Sequence, residues 1–281
     1  MQLMHESEVP ITARDRVYRA SRLYAVLFAG AGLALSAVLI WPHGRRTPLP
    51  FFGGALLLAI LLLHRFVTAR FHPSNWLVRM GDQGVFLHFR SYLNDELSAD
   101  DPTVVFLPFG EIRSARLVKE KVTTPDLVKQ NASTTRTVRW IEFELGIDPA
   151  PLADALATEC GRPAVPVKRW YGDSSTLYLD YPVLMQVPPF LRIKWQVVPG
   201  AKAFLNAIRS YVEIAPEVKI AADFSDPHRL SDEQKHTRLH DLDQRGETIV
   251  ATYLAMRLYG YDLTEATNFV KGLRVAEGQK R

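Results

Sequence analysis

The chain has 281 residues, a formal net charge of +4 and a single cysteine, Cys160. One cysteine excludes a disulfide framework, and so small a net charge does not indicate a nucleic-acid partner. With 47% hydrophobic and 23% charged residues, the composition is that of an ordinary folded protein.

Two apolar runs dominate the N-terminal part of the sequence. Residues 23–41 contain no charged side chain, and at ~1.5 Å per residue their helix would measure about 28 Å, close to the hydrocarbon thickness of a bilayer. Residues 49–67 reach spanning length only by including His64 and Arg65, whose side chains would extend to the interface. The pattern predicts a transmembrane helical hairpin over residues 23–69, with a re-entrant second segment as the alternative.

Arginines flank this hairpin unevenly. They are Arg14, Arg16, Arg19 and Arg22 before the first run, Arg45 and Arg46 between the runs, and Arg65, Arg70 and Arg79 after the second. The positive-inside rule therefore places both termini in the cytoplasm and the short loop outside. We expect residues 1–22 to be a separate cytoplasmic arm.

The pattern after the hairpin is that of short strands. Residues 76–80 and 85–90 flank a GDQG turn, whose two glycines are free to take positive φ. Further strands are predicted at residues 103–109, 112–122, 134–146 and 191–198, where apolar and polar residues tend to alternate. Apolar residues then recur at helical spacing over residues 203–212 and predict an amphipathic helix.

The strand order and several residues resemble a known family. The segments WLVRMGDQGVFLHFRSYLN and VVFLPFGEIRSARLVKE are similar to the opening of bacterial pleckstrin-homology (PH)-like domains attached to paired membrane helices. The resemblance implies an α+β membrane protein with a PH-like antiparallel β-barrel and a closing α-helix over residues 75–213. It also implies a binding or assembly role, although a fold does not fix the ligand.

Eukaryotic members of this family often bind phosphoinositides through cations on the first two strands. Here Arg79, His88 and Arg90 occupy that region without a dense basic cluster. We therefore expect these three residues on an outward, solvated strand face, and predict no headgroup site there.

An insertion near residues 148–171 interrupts the domain. Residues 149–160 predict a short helix, and a Pro-rich loop follows. Four residues of this loop suit contact with lipid headgroups or a partner protein, namely Lys168, Arg169, Trp170 and Tyr171. In the plainer interpretation, which we favour, Trp170 folds back and covers the barrel.

Residues 214–246 are polar and predict a linker that contains one short helix. Ser231 would cap this helix and Gln234 would complete a capping box. His236 and His240 share a helix face at a spacing that can hold a metal ion. No second set of ligands completes such a site, so no metal is predicted.

Residues 247–275 predict a helical hairpin, with Gly260 ending its first helix and Asp262 and Glu265 forming a capping box at the start of the second. The hairpin is similar to the helix–turn–helix part of the C-terminal domain of the bacterial ribosomal stalk protein. The matching residues are Ala251, Arg257, Gly260, Leu263, Glu265, Ala266 and Val270. Since most of that family's basic surface is missing here, binding to translation factors is not inferred.

A hairpin this small buries little core alone, so we expect it to pack on the domain, a second copy or another protein. The candidate residues for a protein partner or for self-association are Tyr253, Arg257, Phe269 and Lys271.

No catalytic residues or cofactor are predicted, because the sequence carries no Gly-rich phosphate loop, no nucleophile elbow and no histidine near Cys160. The sequence therefore predicts a non-catalytic scaffold, integral to the bacterial inner membrane, with its soluble domain in the cytoplasm. The alternative is a lipid- or small-molecule-binding protein that uses the mouth of the β-barrel.

Overall fold

The structure is a computed structural model of an α+β protein. It describes residues 1–41, 49–94, 97, 101–125, 133–162, 166–169, 172–175, 181–186, 188–223, 231–244 and 248–278.

The N-terminal residues form the two edges of the first sheet. Its strands are β1 (Gln2–Met4), β2 (Arg16–Tyr18), β3 (Val78–Met80), β4 (Gly84–His88) and β5 (Val104–Pro108). They are antiparallel in the order β1-β5-β4-β3-β2. The prediction of a separate arm over residues 1–22 is therefore wrong, because strands of three residues are too short to show a periodic signal.

An apolar helical hairpin lies between β2 and β3. It consists of α1 (Arg22–Ile40), α2 (Leu49–Leu62) and the short α3 (His64–Thr68). Among the described residues, only α1 is long and apolar enough to cross a membrane alone, and little of its surface is buried. The segments Leu49–Leu61 and His64–Phe71 pass the same test only together and are bent by 52°, as in a broken span or a re-entrant loop.

Small residues bring α1 and α2 close together. The hydroxyl of Ser36 donates to the backbone oxygen of Gly53 at 2.7 Å. A Cβ on Gly53 would lie 3.0 Å from the backbone oxygen of Ser36, and one on Gly32 would lie 2.8 Å from Ile60 Cδ1. Glycine at these two positions therefore permits the close contact that helices make in lipid.

The second sheet contains the longest strands. The strands that follow are β6 (Ile112–Pro125), β7 (Ser133–Leu145), β8 (Pro166–Arg169), β9 (Gly172–Ser175), β10 (Val183–Met185), β11 (Phe190–Lys194), β12 (Glu213–Ile214) and β13 (Val218–Asp223). The sheet has the order β10-β11-β7-β6-β12, with β13 also parallel to β6. Among the described strands, β8 and β9 pair only with each other.

Neither sheet closes into a barrel, so the predicted β-barrel is corrected to two open sheets. The outer side of β6 pairs with β12 and β13, not with a strand of the first sheet. The predicted linker over residues 214–246 is also corrected, because β13 and the second residue of β12 lie in its first half.

One apolar core lies between the two sheets. It contains Leu87 and Leu107 of the first sheet and Ile141 and Phe143 of the second, all fully buried. The helix α4 (Ala150–Cys160) adds Leu152. The predicted amphipathic helix is present as α5 (Ala201–Ile208), which buries Phe204, Leu205 and Ile208 against this core.

The GDQG turn joins β3 and β4 as predicted, but its glycines do not have positive φ. Among the described glycines, only Gly260 does, at 71°. Gly84 is needed because a Cβ there would collide with the backbone oxygen of Leu107 on β5. The close approach of two strands explains this glycine.

The C-terminal helices are α6 (Asp232–Gln244), α7 (Thr248–Tyr259) and α8 (Leu263–Gly278). Both predicted capping boxes are confirmed. Ser231 and Gln234 exchange hydrogen bonds of 3.1 and 3.3 Å, and Asp262 and Glu265 exchange bonds of 3.0 and 2.8 Å. The helices share a second core, which includes Leu239, Leu254 and Val270 together with Val122 of β6.

Candidate functional site

The two ends of the apolar hairpin meet at the first sheet. Asn75 is 2% exposed and holds them together. Its side-chain oxygen accepts from the backbone N–H of Ala20 at 3.1 Å, and its amide donates to the backbone oxygens of Ala20 and Arg70. Three hydrogen bonds from one buried side chain make this junction a defined structure, because a broken bond would leave a buried polar group without a partner.

Two arginines complete the junction. Arg22 Nε donates to the backbone oxygen of Arg70 at 3.1 Å, and Arg70 Nη1 donates to the backbone oxygen of Ser21 at 3.3 Å. Arg65 of α3 reaches the domain itself, where Nη2 donates to the backbone oxygen of Leu93 at 3.1 Å. The hairpin is thus attached to the domain by side chains as well as by the chain.

A cavity of about 310 Å³ opens beside this junction. Its lining comes from the start of α1, from the residues just before β3, from the end of β4 and the residues after it, and from the segment that follows β11. The ionisable side chains with nitrogen in this lining are Arg70, His88, Arg90 and Lys194, and no carboxylate is among the described residues that line it. The lining also carries hydroxyl groups from Ser21, Tyr24, Ser91 and Tyr92. Such a surface suits a small anionic or polar group.

His88 is buried, in contrast to the predicted solvated face. It is 2% exposed, and its ring stacks on Trp76 with centroids 5.0 Å apart. The Trp76 indole N–H in turn donates to Glu6 at 3.1 Å, so the N-terminal residues cover this side of β4. Burial lowers the pKa of His88, and the charge of Glu6 opposes that shift. His88 is therefore a neutral lining group at pH 7.

Arg90 is also buried, at 7% exposure, and its charge is compensated. Nε and Nη2 lie 2.8 and 3.0 Å from the two carboxylate oxygens of Glu159 on α4. Glu159 also accepts from Arg162 at 2.6 Å. The insertion therefore docks on the first sheet through a buried ion pair, and the prediction that Arg90 is solvated is wrong.

The four residues predicted in the loop of the insertion fall partly outside the described structure. Lys168 and Arg169 belong to β8, but the structure does not describe their side chains, and Trp170 and Tyr171 lie outside the described residues. Their predicted contact with lipid or a partner remains a prediction.

The four residues predicted in the tail differ in exposure. Lys271 is exposed, whereas Tyr253 and Arg257 are half-buried. Phe269, also half-buried, packs against Tyr259 and Tyr261 at centroid distances of 5.3 and 5.4 Å. The side chains that remain accessible to a partner are therefore chiefly those of Lys271, Tyr253 and Arg257.

His236 and His240 do not belong to a metal-binding group among the described residues. No cluster of three or more His, Cys, Asp or Glu side chains is arranged to hold a metal ion there. The ring of His236 instead lies 5.4 Å from Phe269 and 6.0 Å from Tyr259. Its contacts are those of a residue between helices.

The junction cavity was not predicted from the sequence. Its lining comes from four separated stretches, near residues 20–24, 70–77, 88–92 and 182–198. No spacing within one stretch signals a site that forms only when these stretches meet in space. In the sequence, the flanking arginines indicate only the orientation of the hairpin, although Arg70 also lines the cavity.

Comparisons with known proteins leave the family open: no protein-family model, no curated protein and no solved structure shows a significant match to the chain.

Proposed function

We propose that this protein is a non-catalytic, membrane-anchored interaction module, in which a two-helix transmembrane hairpin holds a PH-like domain at the cytoplasmic face of a bacterial inner membrane. The observation that carries the proposal is the position of the hairpin between two paired strands. Tyr18 of β2 pairs with Val78 of β3, so the chain leaves one sheet for the hairpin and returns to the same sheet.

This pairing supports an even number of membrane crossings. Because Arg22 and Arg70 contact each other, the two ends of the hairpin lie at the same surface. If α1 crosses a bilayer, the chain has to return through α2 and α3. The bend between these two helices is compatible with a broken return span.

The exposed surface of α1 supports a lipid environment. Leu27, Phe28 and Leu35 are 56%, 63% and 54% exposed, and other large apolar residues of the helix are similarly uncovered. A soluble protein rarely leaves so continuous an apolar surface in water, whereas lipid covers it without cost.

The arrangement of the soluble part supports the PH-like assignment. Two sheets face each other across one core, and α5 packs against that core after the last strands of the meander. The added edge strands β1, β2, β12 and β13 are features of this chain that the resemblance did not include.

The C-terminal hairpin is the part we assign to a protein partner or to self-association. It packs on α6 and on β6 through the second core, which leaves its outer side free for contact. Ile249 and Leu263 are 75% and 64% exposed there, and Lys271 is exposed as well. Together with Tyr253 and Arg257, these residues make up the surface that we assign to the partner.

A second candidate function is the binding of a lipid or small molecule at the junction. The cationic lining of the junction cavity favours this function. The core between the sheets is filled by side chains, so we place the ligand at the junction and not inside the domain. The site lies beside the hairpin, and this differs from the predicted barrel mouth.

The proposal is tested by replacing residues 22–70 with a short Gly/Ser linker, which only has to join the paired strands β2 and β3. We expect the full chain to stay in the membrane fraction after alkaline carbonate extraction and the linker variant to be a folded, soluble protein. A full chain that is monodisperse in buffer without detergent would contradict the proposal.

A further inference from the structure

An apolar groove on the hairpin adjoins the junction cavity. The groove measures about 300 Å³ and is lined by Ala25, Phe28, Leu63, Phe66, Val67 and Arg70. Arg70 lines both the groove and the cavity. On α1, Tyr24 lines the cavity and Phe28, one turn further, lines the groove. A polar compartment and an apolar compartment therefore neighbour each other and share one lining side chain, Arg70.

Arg70 has an unused donor at this boundary. Its Nε is buried and has no hydrogen-bond partner among the described residues, although Nη1 donates to Ser21. A buried guanidinium N–H without a partner is costly, and a small outward movement of the side chain toward an anion in the cavity would relieve that cost. Since Arg90 is compensated by Glu159 and His88 is neutral, we assign to Arg70 the positive charge that faces both the cavity and the groove.

We propose that the junction binds one anionic phospholipid, with its phosphate in the cavity beside Arg70 and part of an acyl chain in the groove. Phosphate oxygens accept short, charge-assisted hydrogen bonds from guanidinium groups. The groove contributes apolar contacts that a soluble phosphate lacks, and the hairpin places both compartments at the surface of an anionic leaflet. The inference rests on the proposed membrane anchoring and adds a ligand class to it.

The ligand would also serve the junction. A lipid held between α1, α3 and the start of β3 contacts both the hairpin and the domain, and so favours one orientation of the domain at the membrane. The binding energy would then stabilise the attachment already made by Asn75 and the two arginines.

The test is native mass spectrometry of the full chain, released from nanodiscs of phosphatidylglycerol and phosphatidylcholine. We expect one retained phosphatidylglycerol per chain, with a preference over phosphatidylcholine of about tenfold or more. Arg70→Gln should reduce this retention by about tenfold, whereas Arg209→Gln, an exposed arginine at the end of α5, should leave it unchanged.

Val67→Trp tests the groove independently of the cavity, because the larger side chain fills the groove and every cationic side chain stays in place. It should also reduce lipid retention, and the far-ultraviolet circular dichroism of each variant checks folding. Glycerol 3-phosphate is the soluble probe, and we expect it to bind far more weakly than the lipid.

Three results would overturn the inference. The first is equal retention of the two phospholipids, and the second is unchanged lipid retention in both Arg70→Gln and Val67→Trp. The third is binding of glycerol 3-phosphate as tight as that of the lipid, which would identify the ligand as a soluble phosphate compound. Each can occur in a protein that is fully membrane-embedded, so failure here is distinct from failure of the anchoring proposal.

Discussion

His88 shows how one buried residue links the fold to pH. Its ring is enclosed by Trp76 and the N-terminal residues, and burial lowers its pKa from the ordinary value of 6.5. The facing charges oppose each other, since Glu6 raises this pKa and Arg90 lowers it. The folded state therefore favours neutral His88, and its contribution to stability is present above pH 6.5.

The first prediction concerns acid sensitivity. As the pH falls below 6.5, the unfolded chain takes up a proton at His88 before the folded chain does, so acid favours unfolding. The free energy of unfolding of the full chain in detergent should fall by up to about 1 kcal/mol more between pH 6.5 and 5.5 than that of His88→Phe. Tryptophan fluorescence during denaturant titration measures it.

His72→Gln is the matched control, because His72 is exposed. It should keep the pH dependence of the natural chain. Identical pH profiles for the natural chain and His88→Phe would show that His88 does not have the assigned role.

Contacts between residues close together in sequence were predictable, whereas contacts between residues far apart in sequence were not. The capping boxes of Ser231 and Asp262 followed from residues three positions apart. Asn75 carried no such signal, because its backbone partner at Ala20 lies 55 positions away. The sequence predicts a solvated His88 because the residues that cover its strand, Glu6 and its neighbours, lie far away in sequence.

Among the elements, α4 combines apolar packing through Leu152 with one buried ion pair, between Glu159 and Arg90. Glu159 is 5% exposed, and its two carboxylate oxygens accept hydrogen bonds from Nε and Nη2 of Arg90. Asp101 lies 3.8 Å from Arg90, too far to replace the two short hydrogen bonds. Removal of Glu159 would therefore leave Arg90 buried with poor compensation.

The second prediction follows from this contact. Glu159→Ala should lower the free energy of unfolding by about 3 kcal/mol, because breaking one side of a buried pair leaves the other charge uncompensated. Asp154→Ala, on the exposed side of the same helix, should change it by less than about 0.5 kcal/mol. Denaturant titration of the three proteins compares the values.

The double variant Arg90→Leu with Glu159→Leu gives an independent check. Replacing both charges with apolar groups should recover much of the stability that Glu159→Ala loses. A loss in Glu159→Ala as small as that of Asp154→Ala would mean that the pair does not anchor α4.

The elements differed in how well the sequence predicted them. The long strands, α4, α5, α7 and α8 have recurring apolar residues and lie close to their predicted positions, and α6 was predictable from its capping box. The strands β1, β2 and β12 have two or three residues each and carry no period, so the arm and the linker were assigned wrongly. Pairing with a longer neighbouring strand, and not local preference, determines such short strands.

For the whole molecule, the position of the hairpin within the sheet matters most. The apolar helices are an insertion in the connection between β2 and β3, and the domain that carries the first sheet begins before them in the chain. The sequence predicted the apolar helices and the mixed fold, but it predicted a closed barrel where the sheets are open. That difference could not be predicted because it depends on which strands cover β6, a non-local choice.

The central claim is that α1 crosses the membrane while the domain stays on the cytoplasmic side. Cysteine accessibility tests this claim most directly. In a Cys160→Ala background, Trp41→Cys reports the far end of α1 and Asn206→Cys reports the exposed face of α5. We predict that an impermeant maleimide labels the cysteine at position 41 in bacterial cells with a permeabilised outer membrane, and labels the one at 206 only after lysis. Labelling of both positions from the same side would contradict the crossing.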